Sequence, residues 1–214
     1  MSELAVVGGA VALDLVNTVE PRVPGRNDGN EHLRSPDDLL VWALRVNLLD
    51  PAEAEQVRTA WASTDHGARA LAATLELREA TYVVMLGVLK SPDQAEVVAG
   101  PALDVVSRHW AEAITRSTLT LLRPEPTRDR LQVGSDPALL IPDRLGHAVV
   151  ELLRTLDAGD LKACPLDEGG CGWLFLDQSK NRSRRWCSMA DCGARAKSRR
   201  LTNRRRAARR AEPQ

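Results

Sequence analysis

Residues 164–200 read CPLDEGGCGWLFLDQSKNRSRRWCSMADCGARAKSRR, and they hold all four cysteines of a 214-residue chain. Cys164, Cys171, Cys187 and Cys192 follow the spacing C-x6-C-x15-C-x4-C. Two close pairs separated in this way let a chain fold back and offer four thiolates tetrahedrally to one zinc ion. Between the pairs, Trp173, Phe175 and Asp177 alternate with Leu174 and Leu176, as in a strand. Ser179-Lys180-Asn181 predicts a turn, and Arg184-Arg185-Trp186 a return strand. The expectation is a small zinc hairpin whose core is Trp173, Phe175 and Trp186, three of the chain's seven aromatics. A module of this size builds little core, so bound metal would supply its folding free energy.

Other uses of the cysteines fit less well. Two disulfides would satisfy the count, but they belong to oxidising compartments. The N-terminus lacks a basic region followed by an apolar run and a cleavage site, and no stretch of 18 apolar residues occurs, so a cytoplasmic protein without a membrane span is expected. A catalytic zinc would need three protein ligands and an open position. None of His32, His66, His109 and His147 lies near the cluster in sequence. The expected cofactor is one structural Zn2+ held by Cys164, Cys171, Cys187 and Cys192.

Behind the last cysteine, residues 193–210 read GARAKSRRLTNRRRAARR, free of proline and rich in Ala and Arg, which predicts a helix. At 100° per residue Ala194, Leu201 and Ala208 form a narrow apolar spine, expected to dock on the hairpin. Lys197, Arg200 and Arg204 line one flank of it, Arg205 and Arg209 the other, and Arg195, Arg199 and Arg206 a further stripe. The net charge of zero conceals an asymmetry: residues 1–158 carry −8 and residues 159–214 carry +8. Between Lys180 and Arg210 there are 13 basic residues and one acid, Asp191. Such a block points to a polyanionic partner, and its preference for Arg over Lys suits bidentate phosphate contacts. A nucleic acid is the expected partner. A solvated tail, or a helix docked on the acidic body as an inhibitory contact, is the alternative. Charge does not separate DNA from RNA; exposed aromatics for stacking would favour RNA.

The body reads as helices. Residues 6–19 are apolar with Asp14, Asn17 and Thr18 inset and are read as helical after Gly8-Gly9; residues 20–34 read as a loop. Ser35-Pro36-Asp37-Asp38 is a helix start, for a helix running to about Leu49, and Asp50-Pro51 starts another to about Ser63. A long helix is expected over about 66–90, with Leu71, Leu75, Tyr82, Leu86 and Leu89 at helical spacing. Gly100-Pro101 is read as a break before a helix over 102–115. Alternation around Thr118–Arg123, with Arg130–Val133 beyond a Pro-rich turn, predicts a β-hairpin, and a last helix is expected over about 142–156. The expected fold is mostly α (α+β): a helical N-terminal domain with a small β-hairpin over 1–158, then a zinc hairpin and basic helix over 159–214.

Cys171–Arg200 resembles the CGNR-type zinc finger of bacterial stress-induced transcription regulators, through GWLFLD, the NRSRRWCSM stretch and CG-x-RAK after the last cysteine. The N-terminal part resembles that family's partner, the ABATE domain, through LDLVNT at Leu13–Thr18, PDDLLVWA at Pro36–Ala43 and LREATY at Leu77–Tyr82. The resemblance implies zinc ligation by the four cysteines and DNA binding by the finger. The candidate DNA-contacting residues are Lys180, Arg182, Arg184, Arg185, Arg195, Lys197, Arg199, Arg200, Arg204, Arg205 and Arg206. One position departs from the family: Ala194 stands where its motif has Asn. The N-terminal domain is expected to sense a small-molecule effector or to form a homodimer. Asp14, Asn17 and Arg78 are its candidate ligand residues, against the simpler reading that they cap helices or bond to one another. No G-x-S-x-G, H-E-x-x-H or phosphate loop occurs, so no catalytic residue is expected. The function expected is a zinc-dependent DNA-binding transcription regulator. An RNA-associated zinc protein and an enzyme with its site in the N-terminal domain are the alternatives.

Overall fold

The computed structural model describes residues 4–25, 29–62, 65–91, 95–121 and 129–211, with side chains for all of these except 95–98, 120–121, 129–131 and 205–211. The Pro-rich turn with Arg123, and the side chains of Arg205, Arg206 and Arg209, lie outside what is described.

Seven α-helices and three two-stranded antiparallel ladders follow in the order α1 (Val11–Val16), β1 (Val19–Glu20), β2 (Asn30–Glu31), α2 (Pro36–Arg45), α3 (Pro51–Trp61), α4 (His66–Lys90), α5 (Ala95–Thr115), β3 (Thr118–Leu121), β4 (Asp129–Gln132), α6 (Leu140–Thr155), β5 (Leu161–Ala163), β6 (Leu174–Leu176) and α7 (Ala194–Ala211). The chain is mostly helical, as its sequence predicts. α2 starts where Ser35 Oγ accepts the Asp38 amide at 3.1 Å. It stops at Arg45 rather than near Leu49, because Asn47 takes a left-handed conformation at φ 55°. α3 opens on a reciprocal capping box between Asp50 and Glu53.

α4 is the central helix. It packs on α1, α2, α3, α5 and α6, so that Ala70, Leu77, Ala80, Tyr82, Val84 and Met85 are all buried. The predicted break at Gly100-Pro101 is not there: α5 runs through Pro101. A proline in a helix forfeits one hydrogen bond and crowds the preceding turn. Here Ala99 and Val106, on either side of it, are both buried in the main core, so packing keeps the helix continuous. The β3–β4 hairpin forms with Thr118 opposite Gln132 and Leu119 opposite Leu131.

The C-terminal hairpin forms with a different partner from the one expected. β6 pairs with β5, Leu161 facing Leu176 and Ala163 facing Leu174, upstream of the first cysteine. Residues 184–186 are not a strand. Their backbone is taken up by side chains of the same loop, as described below, and is not free to continue a ladder.

Candidate metal centre and nucleic-acid interface

The four cysteines meet at the tip of the β5–β6 hairpin. Cys164 and Cys171 bracket the loop between the strands, where the Cys164 amide donates to the Trp173 carbonyl (2.8 Å) and the Gly172 amide to the Cys164 carbonyl (3.2 Å). Gly170 is held so close that a Cβ there would stand 2.6 Å from Cys164 Sγ. Cys187 and Cys192 arrive from the other side, the latter inside a single π-turn at Met189–Gly193 that leads directly into α7. Ser188 starts that turn: its Oγ accepts the Asp191 amide (3.2 Å) and donates to the Asp191 carboxylate (2.6 Å).

All four sulfurs are buried, lie within 4.8 Å of one another, and can hold a metal ion. Cys171 Sγ and Cys187 Sγ are 3.4 Å apart, and Cys187 Sγ and Cys192 Sγ 3.7 Å. These separations are far too long for disulfides. Thiolates placed tetrahedrally at the usual zinc–sulfur distance would stand about 3.8 Å apart, so the donor set fits that ion. The protonation pattern agrees. Hydrogen bonds from Cys171 and Cys187 hold the Cys164 thiol below its ordinary value, while donating to Cys164 pushes Cys171 and Cys187 up, and burial pushes Cys192 up. One thiolate suppresses the next, and only a cation allows four together.

Around the cluster, Trp173, Phe175, Trp186 and Ala196 are buried and complete a small core. The loop from 177 to 187 is pinned by two side chains that the sequence reading did not assign. Asp177, fully buried at the end of β6, accepts from Lys162 Nζ (2.5 Å), Ser179 Oγ (2.6 Å), the Ser179 amide (3.0 Å) and the Arg184 amide (2.7 Å). Burial pushes its carboxyl up, but these donors outweigh burial and hold it below the usual carboxylate range. Arg184 lies over the Phe175 ring at 4.6 Å and donates to the carbonyls of Trp186 and Cys187. An Asp followed two residues later by Ser, closing a strand, is the local signal that could have marked Asp177.

The hairpin is sewn to the helical body. Asn17 Nδ2 donates to the Leu174 carbonyl (2.8 Å) and Asn17 Oδ1 accepts the Leu174 amide (2.9 Å). The Leu176 amide donates to the Gly8 carbonyl (2.8 Å), the Arg22 amide to the Cys171 carbonyl (2.7 Å), and Trp173 Nε1 to the Val19 carbonyl (2.8 Å). A Cβ on Gly172, whose φ is +78°, would fall 1.9 Å from the Arg22 carbonyl oxygen. Leu161 and Leu174 belong to the main core.

The three candidate ligand residues of the body are all engaged internally. Asp14 Oδ1 accepts the amides of Val7 (3.0 Å) and Gly8 (2.8 Å), with burial raising its pKa against them. Asn17 holds Leu174. Arg78, 5% exposed, bonds Thr18 Oγ1 (3.0 Å), Glu79 (2.8 Å) and both carboxylate oxygens of Glu31 (2.8 and 2.7 Å). Beside it Arg22 pairs with Glu79 (3.0 Å) and lies over the Tyr82 ring at 4.3 Å. The LDLVNT and LREATY segments thus meet at Thr18 and Arg78, directly behind Cys171.

The candidate DNA-contacting residues divide by what holds them. Arg184 is part of the finger core. Arg182 pairs with Asp157 (2.9 Å) and Asp160 (2.6 Å). Arg185 and Arg200 both pair with Glu168. Arg195 stands 3.7 Å from Glu20. Lys180, Lys197, Arg199 and Arg204 are exposed and carry no ion pair among the described residues. The expected apolar spine does not dock. Ala194 is exposed and Leu201 50% exposed, whereas Ala196, 2% exposed, is the residue that packs on the finger. The π-turn shifts the register at which α7 leaves the finger, so helical phase read from Cys192 points the wrong face inward.

A buried four-thiol cluster at the tip of a two-stranded hairpin, leading into a cationic helix, defines a finger-type metal protein. Residues 161–205 match the CGNR zinc finger family, and residues 9–156 match the ABATE family, described as "Putative stress-induced transcription regulator". The chain belongs to the ABATE family and carries a CGNR zinc finger behind that domain. No curated protein matches it. No helix among the described residues is long and apolar enough to cross a membrane.

Proposed function

We propose that the protein is a cytoplasmic, zinc-dependent, DNA-binding transcription regulator. Residues 159–214 form its DNA-binding part, on one structural zinc, and residues 1–158 receive the regulatory signal. The observation that carries this is α7: an 18-residue helix with nine basic residues and no acid, seated on the thiol cluster through Ala196 and exposed from Lys197 to Arg204. So dense a charge on a free helix is unfavourable without a polyanion, and neutralising phosphates releases counterions. Duplex DNA is favoured over RNA because Trp173, Phe175 and Trp186 are all buried and offer no stacking platform in the finger.

The test is a gel-shift panel of duplex DNA, single-stranded RNA and duplex RNA over a range of salt, with metal measured on protein purified without added zinc. The expected result is one zinc per chain and preference for duplex DNA, with a logarithmic salt slope of about −0.9 per phosphate neutralised. Lys197→Ala and Arg204→Ala should each weaken binding and make the slope shallower by about one. Tighter binding to RNA, or a metal stoichiometry well below one with four freely titrating thiols, overturns the reading.

A further inference from the structure

α7 has two sides, and only one is turned to the body. Ala196 is buried against the finger, and the residues three and four further on straddle the same side. Arg199 reaches the loop at Gly169, where a Cβ would stand 2.9 Å from its Nη1, and Arg200 pairs with Glu168. At 100° per residue the opposite side holds Ala194, Ser198, Leu201 and Thr202, all exposed. It is uncharged. A row of cations borders it on each hand, Lys197 and Arg204 on one and Arg195 and Arg199 on the other. An uncharged strip between two basic rows, on a helix about 27 Å long, is unlike the face of a helix that only collects phosphates, where charge would be distributed all round. It matches the cross-section of the duplex major groove, which admits one α-helix and has a phosphate strand on either rim.

We infer that Ser198, Leu201 and Thr202 read base edges in the major groove of duplex DNA, while Lys197 and Arg204 hold one phosphate strand and Arg195 and Arg199 the other. This rests on the DNA-binding reading above and adds to it which residues discriminate sequence. Leu201, half exposed with no apolar cover, meets the 5-methyl group of thymine, the one apolar feature of a base edge in that groove. The hydroxyls of Ser198 and Thr202 accept from or donate to neighbouring bases.

The experiment selects binding sites from a randomised duplex pool with the full-length protein, with L201A, and with the double variant S198A and T202A. Each thymine of the selected site is then replaced by deoxyuracil. Wild type should enrich a defined site and lose about fourfold in affinity when one particular thymine loses its methyl group, the worth of one buried methyl. L201A should bind thymine and deoxyuracil equally at that position, and the double variant should select a relaxed site. Both should keep the wild-type salt slope and affinity for an unselected duplex, which shows that finger and helix are intact. If wild type binds duplex DNA but enriches nothing, or if both variants select the wild-type site with its thymine preference unchanged, the inference is overturned and α7 is a phosphate clamp alone. If wild type binds no duplex at low salt, it is the DNA-binding reading that fails.

Discussion

The helical body and the finger are held together by different means. The body buries one continuous cluster of aliphatic residues from α1 to α6, centred on α4, in which any single side chain has many neighbours. The finger buries four cysteines, three aromatics and one alanine, with Leu4, Ala5 and Val7 partly buried against them. Half of that core is ligand. Removing one methylene from the body leaves a small cavity; removing one thiol from the finger removes the centre that organises it. The two are nonetheless not independent, because the Asn17–Leu174, Gly8–Leu176 and Arg22–Cys171 hydrogen bonds fix the strand carrying the cysteines to α1 and the segment after it.

The sharpest way to break the contrast is Cys187→Ser. It should abolish metal binding and DNA binding while the far-ultraviolet helical signal of the body persists, with the loss appearing in the near-ultraviolet signal of Trp173 and Trp186. Undiminished DNA affinity would mean that α7 binds as a free polycation. Unfolding of the whole chain would mean that body and finger are one cooperative unit.

A smaller effect is expected at the seam. Asn17→Ala leaves a buried amide and a buried carbonyl of Leu174 unpaired, at a cost of about 3 kcal/mol. For a chain of this size that lowers the thermal midpoint by roughly 6–12 °C. The transition should also split, the finger melting before the body in differential scanning calorimetry. A single transition with an unchanged midpoint would show that the seam contributes nothing.

The mildest is Asp177→Asn, which is a matter of pH. The Asp177 carboxyl is held below its ordinary range, so the ionised form stabilises the folded finger above that range, and the contribution is lost as pH falls through it. The difference in finger stability between wild type and Asp177→Asn should therefore be full at neutral pH and shrink in acid. Tryptophan fluorescence followed through thermal unfolding at a series of pH values measures it. Proton competition at the zinc thiolates is common to both proteins and cancels in the difference. A difference that is constant with pH would mean that the donors around Asp177 hold an amide as well as a carboxylate.

Much of this was legible in the sequence because it is local. The cysteine spacing, the Ser35 and Asp50 helix starts and the β3–β4 alternation are each written within a few residues of the feature they specify. What escaped is what depends on contacts far along the chain. The partner of β6 is a strand preceding the first cysteine, and nothing in Leu161–Ala163 distinguishes it from a linker. Pro101 reads as a break and is overruled by packing. The buried side of α7 is set by the π-turn, which no periodicity reveals. Asn17 looks like a polar residue stranded in an apolar segment until its partner, 157 residues away, is in place.

Gly172 and Leu174 bear on whether the finger can be transplanted. A segment cut out at residue 159 and fused to another protein would take its four cysteines with it, but it would present Leu161 and Leu174 to water and leave the Leu174 amide and carbonyl without Asn17. Residue 172 would face empty solvent where it now fits against the carbonyl of Arg22. Any host would have to supply an apolar seat, a carboxamide at the right height and an approach open only to glycine. The finger of this chain is thus expected to lose specificity and rigidity in chimaeras with unrelated bodies, and to keep both when α1 and its flanks are moved with it.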